Sequence, residues 1–192
     1  MRVVPLGAVA LVGALALCGC STKAEPPVFM NAPTFELVDH RGNAFRSVDL
    51  KGKIWVVDFF FTSCPSICPR LTAAMKEVRG ELEDHAGQIR YVSISVDPLN
   101  DTPEVLRRYA ERNDLELSHW SLLTGDEKVV RETVADGFKT FLGEREQRGG
   151  QYDIAHASRF FLVDQAGRVR GAYAIDDDGK KSLIGDIRRL LE

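Results

Sequence analysis

The chain is poor in cysteine, with four in 192 residues, and two of them, Cys18 and Cys20, stand near its start. A disulfide framework is therefore not what holds the fold, and the length leaves a single domain large enough to bury a core without one. There is no extended basic stripe; acidic and basic residues are interspersed around a net charge of -3, which excludes nucleic acid as a partner. Internal repeats are absent. Long apolar runs are absent too: the longest, Ala8 to Leu17, is too short to span a bilayer comfortably.

What is present begins with that run. Arg2, the apolar stretch and the sequence Leu17-Cys18-Gly19-Cys20-Ser21 read as an export signal. It resembles a bacterial lipoprotein signal, in which a Leu three residues before the cysteine and a small residue next to it mark the cut; Cys20 fits this and Cys18 does not. The expected organisation is a signal over 1–19, a lipid-anchored flexible tether over 20–33 containing Pro26, Pro27 and Pro33, and a domain over 34–192. An ordinary secretory signal or an uncut anchor is the alternative. The protein is expected to be exported, anchored to a membrane by lipid on Cys20, and to face the periplasm or the cell exterior.

Cys64 and Cys68 are then the only thiols of the mature chain, in a compartment where thiols do not stay reduced by default. A disulfide between them is possible, but its short loop would restrict the unfolded chain by only about 2 kcal/mol, so a purely structural bridge is disfavoured.

Phe35 to Asp39 and Ala44 to Arg46 predict a small hairpin around Gly42. Ile54 to Phe61, interrupted only by Asp58, predicts a central strand buried on both faces. Leu71, Met75, Val78 and Leu82 recur at helical spacing; Ile89 to Val96 alternates as a strand; Asp101-Thr102-Pro103-Glu104 opens a helix to Arg112, with Asp101 as the capping acceptor. Trp120 to Leu123 reads as a strand, and Val129 to Phe141 as the apolar face of a helix closed by Gly143. Glu144 to Asp153 is polar and without period, and reads as an exposed loop. A hairpin from Arg159 to Ala174 and a helix from Leu183 to Leu191 complete the chain. This is an α/β pattern with a mixed sheet and helices on both faces. The order of elements looks like a thioredoxin fold with an added N-terminal β-hairpin.

Such sheets carry their active residues beyond the carboxyl ends of the strands, where Cys64 and Cys68 follow the first buried strand. Both precede proline, which pushes them out of helical geometry; Pro69 is expected as the first helical residue and Cys68 as the cap. Thiols at a helix N-terminus can hold a soft metal, exchange a disulfide or attack an oxidant. Two thiolates make an open site for Cu(I), and a nitrogen donor would complete one for Cu(II). His40, His85 and His119 read as solvent-exposed or packing residues. His156 differs, because the loop entering its strand passes beside the cysteine-bearing helix in a thioredoxin-like sheet.

Three stretches make the pattern specific: Asp58 to Pro69, Ser95 to Glu104, and His156 with Phe161-Leu162-Val163-Asp164. The chain resembles the Sco/SenC family of copper-binding, thioredoxin-fold proteins that assist assembly of the binuclear copper site of cytochrome c oxidase. The resemblance implies Cys64, Cys68 and His156 as ligands of Cu(I) and Cu(II). It implies partners in the copper-bearing oxidase subunit and in other periplasmic copper chaperones or thiol reductases. Asp97 matches a family acidic position tied to partner contact or the copper surroundings; a role in shaping the Asp97-Pro98 turn is the competing reading. Ala155 departs from the pattern, since many relatives have a polar or acidic residue before the histidine. The resemblance points to capture and transfer rather than turnover, with a thiol-disulfide reductase keeping the oxidase cysteines reduced, or a redox-signalling role, as the alternative. A peroxidase is disfavoured, because Phe61 and Val57 stand where peroxiredoxins carry Thr and Pro.

Overall fold

The computed structural model describes residues 24–148 and 151–192; the signal segment and Cys20 lie outside the described residues. The central strand forms as its composition demands. All seven residues of β4 (Ile54–Phe60) are buried, and β4 pairs in parallel with β5 (Ile89–Ser95) and antiparallel with β9 (Arg159–Val163). β5 pairs in parallel with β6 (Trp120–Thr124), and β9 turns back into β10 (Arg168–Ala174). The predicted hairpin, β2 (Glu36–Asp39) and β3 (Ala44–Arg46), adds to the far edge through β6. With β1 (Met30–Asn31) on the opposite edge, the sheet runs β1-β10-β9-β4-β5-β6-β2-β3. This is the expected thioredoxin-like arrangement with its added N-terminal hairpin.

Helices cover both faces. α1 (Ile67–Gly80) and α2 (Pro103–Arg112) are the crossovers of the parallel strands, and they touch through Thr72 and Tyr109, whose hydroxyls are 2.7 Å apart. α4 (Asp177–Leu191) joins them through Lys180 with Glu77 and Arg188 with the Glu81 carbonyl. Phe60 meets Tyr109 on this face. Residues of opposite parity, Trp55 and Phe59, meet Phe138 on the other, below α3 (Glu127–Arg131). The period-two alternation of β4 thus serves two apolar layers, which is why the strand reads as one continuous hydrophobic run.

Several elements differ from the sequence reading. The helix expected to reach Phe141 is short: α3 widens into a π-helical stretch, Glu132–Gly137, that buries Thr133 and Val134 and delivers Phe138 to the core. Phe141 is exposed. Gly137 is required there, because a side chain would stand 2.6 Å from Pro33. The stretch expected as a loop forms a two-stranded sheet of its own, β7 (Leu142–Arg148) and β8 (Gln151–His156). α4 starts six residues earlier than its apolar period because Asp176 caps it, accepting from the Gly179 amide at 2.8 Å.

The segment expected as a flexible tether is held along residues 25–32. Edge strand β10 takes up β1, and the buried Arg170 donates to the Pro26 carbonyl, Glu25 and Asp164. An unpaired sheet edge accepts an extended segment readily, and composition alone does not announce it.

Candidate metal centre

The site is built from three pieces of chain beyond the carboxyl end of β4. The first is the loop Phe61 to Ser66. Helix α1 begins one residue before Cys68, with Ser66 at the N-cap position and no side-chain cap bond. Cys68 is therefore inside the helix and Pro69 is its third residue, in place of the expected cap and first residue. Pro69 is tolerated because the first-turn amides have no intrahelical acceptor. The Cys68 amide, one of those orphan donors, points at Cys64 Sγ at 3.4 Å, so a sulfur caps the helix.

This fixes the electrostatics of the pair. The Cys64 thiol is held well below the ordinary range, first by the hydrogen bond donated from the Cys68 thiol, then by His156 and the Ser66 and Cys68 amides, against the opposing effect of burial. Cys68 moves the other way, because it is the donor to Cys64 and because it is more deeply buried. The two cysteines are unjoined.

The second piece is the end of β8. It places His156 Nε2 3.6 Å from Cys68 Sγ, while Nδ1 lies 3.3 Å from the Ala157 carbonyl oxygen. With Nδ1–H donating to the Ala157 carbonyl, the Nε2 lone pair faces Cys68 Sγ. The backbone carbonyl thus orients the imidazole, a task that Ala155 cannot perform. Ligands at about 2.3 Å (sulfur) and 2.0 Å (nitrogen) from a shared ion stand about 3.6 Å apart at near-tetrahedral to trigonal angles, so this spacing suits a bridging metal ion. Among the described residues no group of three or more His, Cys, Asp or Glu is gathered closely enough to hold a metal ion as it stands. The Cys64 sulfur accepts the Cys68 amide and lies within the influence of both the Cys68 thiol and His156.

The third piece is the loop after β5. Asp101, expected as the α2 cap, is fully buried and accepts from the Thr62 amide at 3.0 Å, the Thr62 hydroxyl at 2.5 Å and the Ser95 hydroxyl at 2.6 Å. Thr102 is the cap instead, taking a 3.4 Å bond from the Val105 amide. Asp101 ties the start of the thiol loop to the end of β5, and burial raises its pKa despite these donors. Asp97 is also buried and meets Arg145, Tyr152 and Asn100. His40 is buried beside the Leu122 amide on β6; His85 and His119 lie near the start of β5, at the other end of the sheet from the thiols.

One buried group went unnoticed in the sequence except as a break in an apolar run. Asp58, inside β4, accepts from the Ser93 hydroxyl at 2.5 Å, and that oxygen accepts from Trp120 Nε1 at 2.9 Å. Burial pushes its pKa up to about 6, against the Ser93 bond and the field of His156. An acid whose folded pKa exceeds its unfolded value binds more protons in the fold, so stability falls as pH rises from about 4 to about 6. The loss is about 3 kcal/mol for a shift of this size. Asp58→Asn keeps the acceptor without the charge. It is expected to match the parent at pH 4 and to exceed it at pH 7 by up to that amount, measured by urea unfolding; equal pH slopes in the two proteins would refute it.

A family model described as SCO1/SenC matches residues 24–192. The chain belongs to the SCO1/SenC family. A SCO1/SenC family lipoprotein from Bacillus anthracis is 32% identical in sequence, with a TM-score of 0.76 over 85% of this chain and 96% of its own. BsSco, described as a member of the Sco family of cytochrome c oxidase assembly proteins and as having a disulfide switch, is 29% identical, with a TM-score of 0.74 over 87% of this chain and 96% of its own. The copper-bound ScoI of Bradyrhizobium japonicum is 25% identical, with a TM-score of 0.72 over 83% and 99%. The SCO1/SenC match spans the entire described fold. Within that fold, Cys64, Cys68 and His156 are brought together from positions up to 92 residues apart in the chain.

Proposed function

We propose that this SCO1/SenC protein is an exported copper carrier. It takes up Cu(I) or Cu(II) through Cys64, Cys68 and His156 and delivers it to the copper-bearing subunit of cytochrome c oxidase. The observation that carries the reading is the 3.6 Å approach of His156 Nε2 to Cys68 Sγ beside a thiolate-forming Cys64. The copper-bound ScoI and the oxidase-assembly description of BsSco support the cargo and the destination.

The donor set is suited to transfer. Soft sulfurs favour Cu(I), and the imidazole accommodates Cu(II). Cys64 is already stabilised as an anion, whereas Cys68 gives up a proton when it becomes a ligand, so uptake releases protons and weakens as the medium is acidified. The lipid anchor is assigned to Cys20 after removal of residues 1–19, and the lipoprotein description of the Bacillus anthracis relative supports an anchor of that kind. Among the described residues no helix is long and apolar enough to cross a membrane.

Anaerobic titration of the reduced protein should bind about one copper per chain, and Cys64→Ser should weaken binding at least a hundredfold, as loss of a soft anionic ligand requires. Undiminished affinity in that variant would overturn the site.

The asymmetry of the thiols favours a second use of the same residues. Cys64 as thiolate can attack a substrate disulfide, forming a mixed disulfide and releasing one substrate thiolate. Cys68 then displaces the second thiolate and closes a Cys64–Cys68 disulfide, so two electrons pass to the substrate. The oxidised pair cannot hold copper, and reduction must precede each loading. Reduction of oxidase copper-site cysteines by a His156→Ala strain that has lost copper delivery would favour this use as the main one.

A further inference from the structure

The hairpin that carries His156 is not part of the main sheet: among the described strands, β7 and β8 pair only with each other. Something other than a strand ladder must set where the histidine stands. Arg131 of α3 reaches the Gly143 carbonyl at 3.3 Å and Glu144 at 3.1 Å at the start of β7, and further contacts converge on one buried carboxylate. Asp97, which follows β5 and is 1% exposed, receives the Arg145 guanidinium from β7 and the Tyr152 hydroxyl from β8, the latter at 2.5 Å. The Asn100 amide donates to the same carboxylate at 2.9 Å. The Arg145 guanidinium also lies over the Tyr152 ring, 4.5 Å from its centre.

Tyr152 reaches the thiol loop as well. Its hydroxyl is 2.7 Å from Ser63 Oγ, next to Cys64, and its ring stacks on Phe61, with centroids 6.0 Å apart. Phe61 also meets His156 in a T-shaped contact, with ring centroids 6.0 Å apart. One phenol therefore joins the hairpin, the Asp97 loop and the loop that bears the nucleophilic sulfur.

We infer that Arg145 and Tyr152, closing on Asp97, form a clasp that docks the β7–β8 hairpin against the thiol loop and so positions His156 before any metal arrives. The consequence for copper rests on the carrier function above; the docking itself does not. A charge-assisted bond to a buried carboxylate is among the stronger polar contacts, and its partner is costly to leave unmatched. A docked ligand needs no ordering at capture, so the clasp sets how long copper is retained.

The test uses the full chain with Tyr152→Phe, Arg145→Gln and Arg145→Lys. In the reduced, metal-free protein, hydrogen exchange of the β7–β8 amides should speed up about tenfold in the first two variants, the size of effect that losing one such bond produces, while β4 and β5 amides stay as in the parent. Arg145→Lys, which keeps a cation for Asp97, should fall nearer the parent. In the copper-loaded protein the same order should appear in dissociation to a competing chelator and in the intensity of the Cu(II)–thiolate charge-transfer band. Unchanged exchange in Tyr152→Phe and Arg145→Gln would overturn the clasp. Faster exchange with unaltered copper dissociation would overturn its positioning role. Absence of copper binding in the parent would overturn the carrier function instead, and the exchange measurement reads the clasp independently of it.

Discussion

His156→Ala should abolish stable Cu(II) binding while leaving the dithiol able to bind Cu(I). Two thiolates satisfy Cu(I) in an open geometry, but Cu(II) takes nitrogen or oxygen donors to complete its coordination. Among the four histidines only His156 presents a ring nitrogen to the sulfurs, at 3.6 Å from Cys68 Sγ. Loss of a direct ligand should exceed the tenfold to hundredfold penalty of losing a group that merely orients one, so Cu(II) affinity should fall by more than about a hundredfold. Competition titration against a chelator and the loss of the thiolate charge-transfer band would register the change. The histidine also helps hold Cys64 low, but the Cys68 thiol and the helix amides act on that sulfur too. Exchange with a small disulfide should therefore persist. Unchanged Cu(II) affinity would remove His156 from the site and would leave the oxidoreductase as the better account.

The second large effect separates two thiols that look equivalent in the sequence. Cys64, 6% exposed, should be alkylated by iodoacetamide at nearly the same rate at pH 5 as at pH 8, since it remains a thiolate across that range. An ordinary cysteine slows by about a thousandfold over the same interval as it protonates. Cys68, 1% exposed and held as a thiol, should stay largely unmodified throughout. Peptide mass analysis after timed labelling distinguishes the two. Equal labelling, with both rates rising together near pH 8 to 9, would show that the helix terminus does not polarise the pair. The rate at pH 8 need not be high, because a stabilised thiolate is also a weaker nucleophile.

The thioredoxin-like frame was readable because its signals are local. β4 is an apolar run of strand length, β5 alternates, and α1 repeats Leu71, Met75 and Val78 on one face. The residues proposed for the centre were readable as well, since Cys64 and Cys68 follow a buried strand and His156 precedes one. The hairpin that presents His156 was not. β7 and β8 bury little beyond Ile154, so no period-two pattern marks them, and the segment looks like a loop. Its order comes from Asp97, 48 residues before Arg145 and 55 before Tyr152.

Asp58, Asp97 and Asp101 teach the same lesson. In sequence they are a break in a strand, a turn residue and a helix cap. In the fold each is buried with donors drawn from other elements: Ser93, Arg145 with Tyr152, and Thr62 with Ser95. A buried carboxylate is tolerable only when such donors converge, and convergence is a property of the packed chain.

The α/β frame, the family resemblance and the three donors proposed here were all legible along the chain, because apolar period and residue chemistry are written there. Only the tertiary structure decided which thiol carries the charge and what orients the imidazole. It alone decided what docks the histidine hairpin, because each of these depends on a hydrogen-bond donor brought from elsewhere to a particular atom.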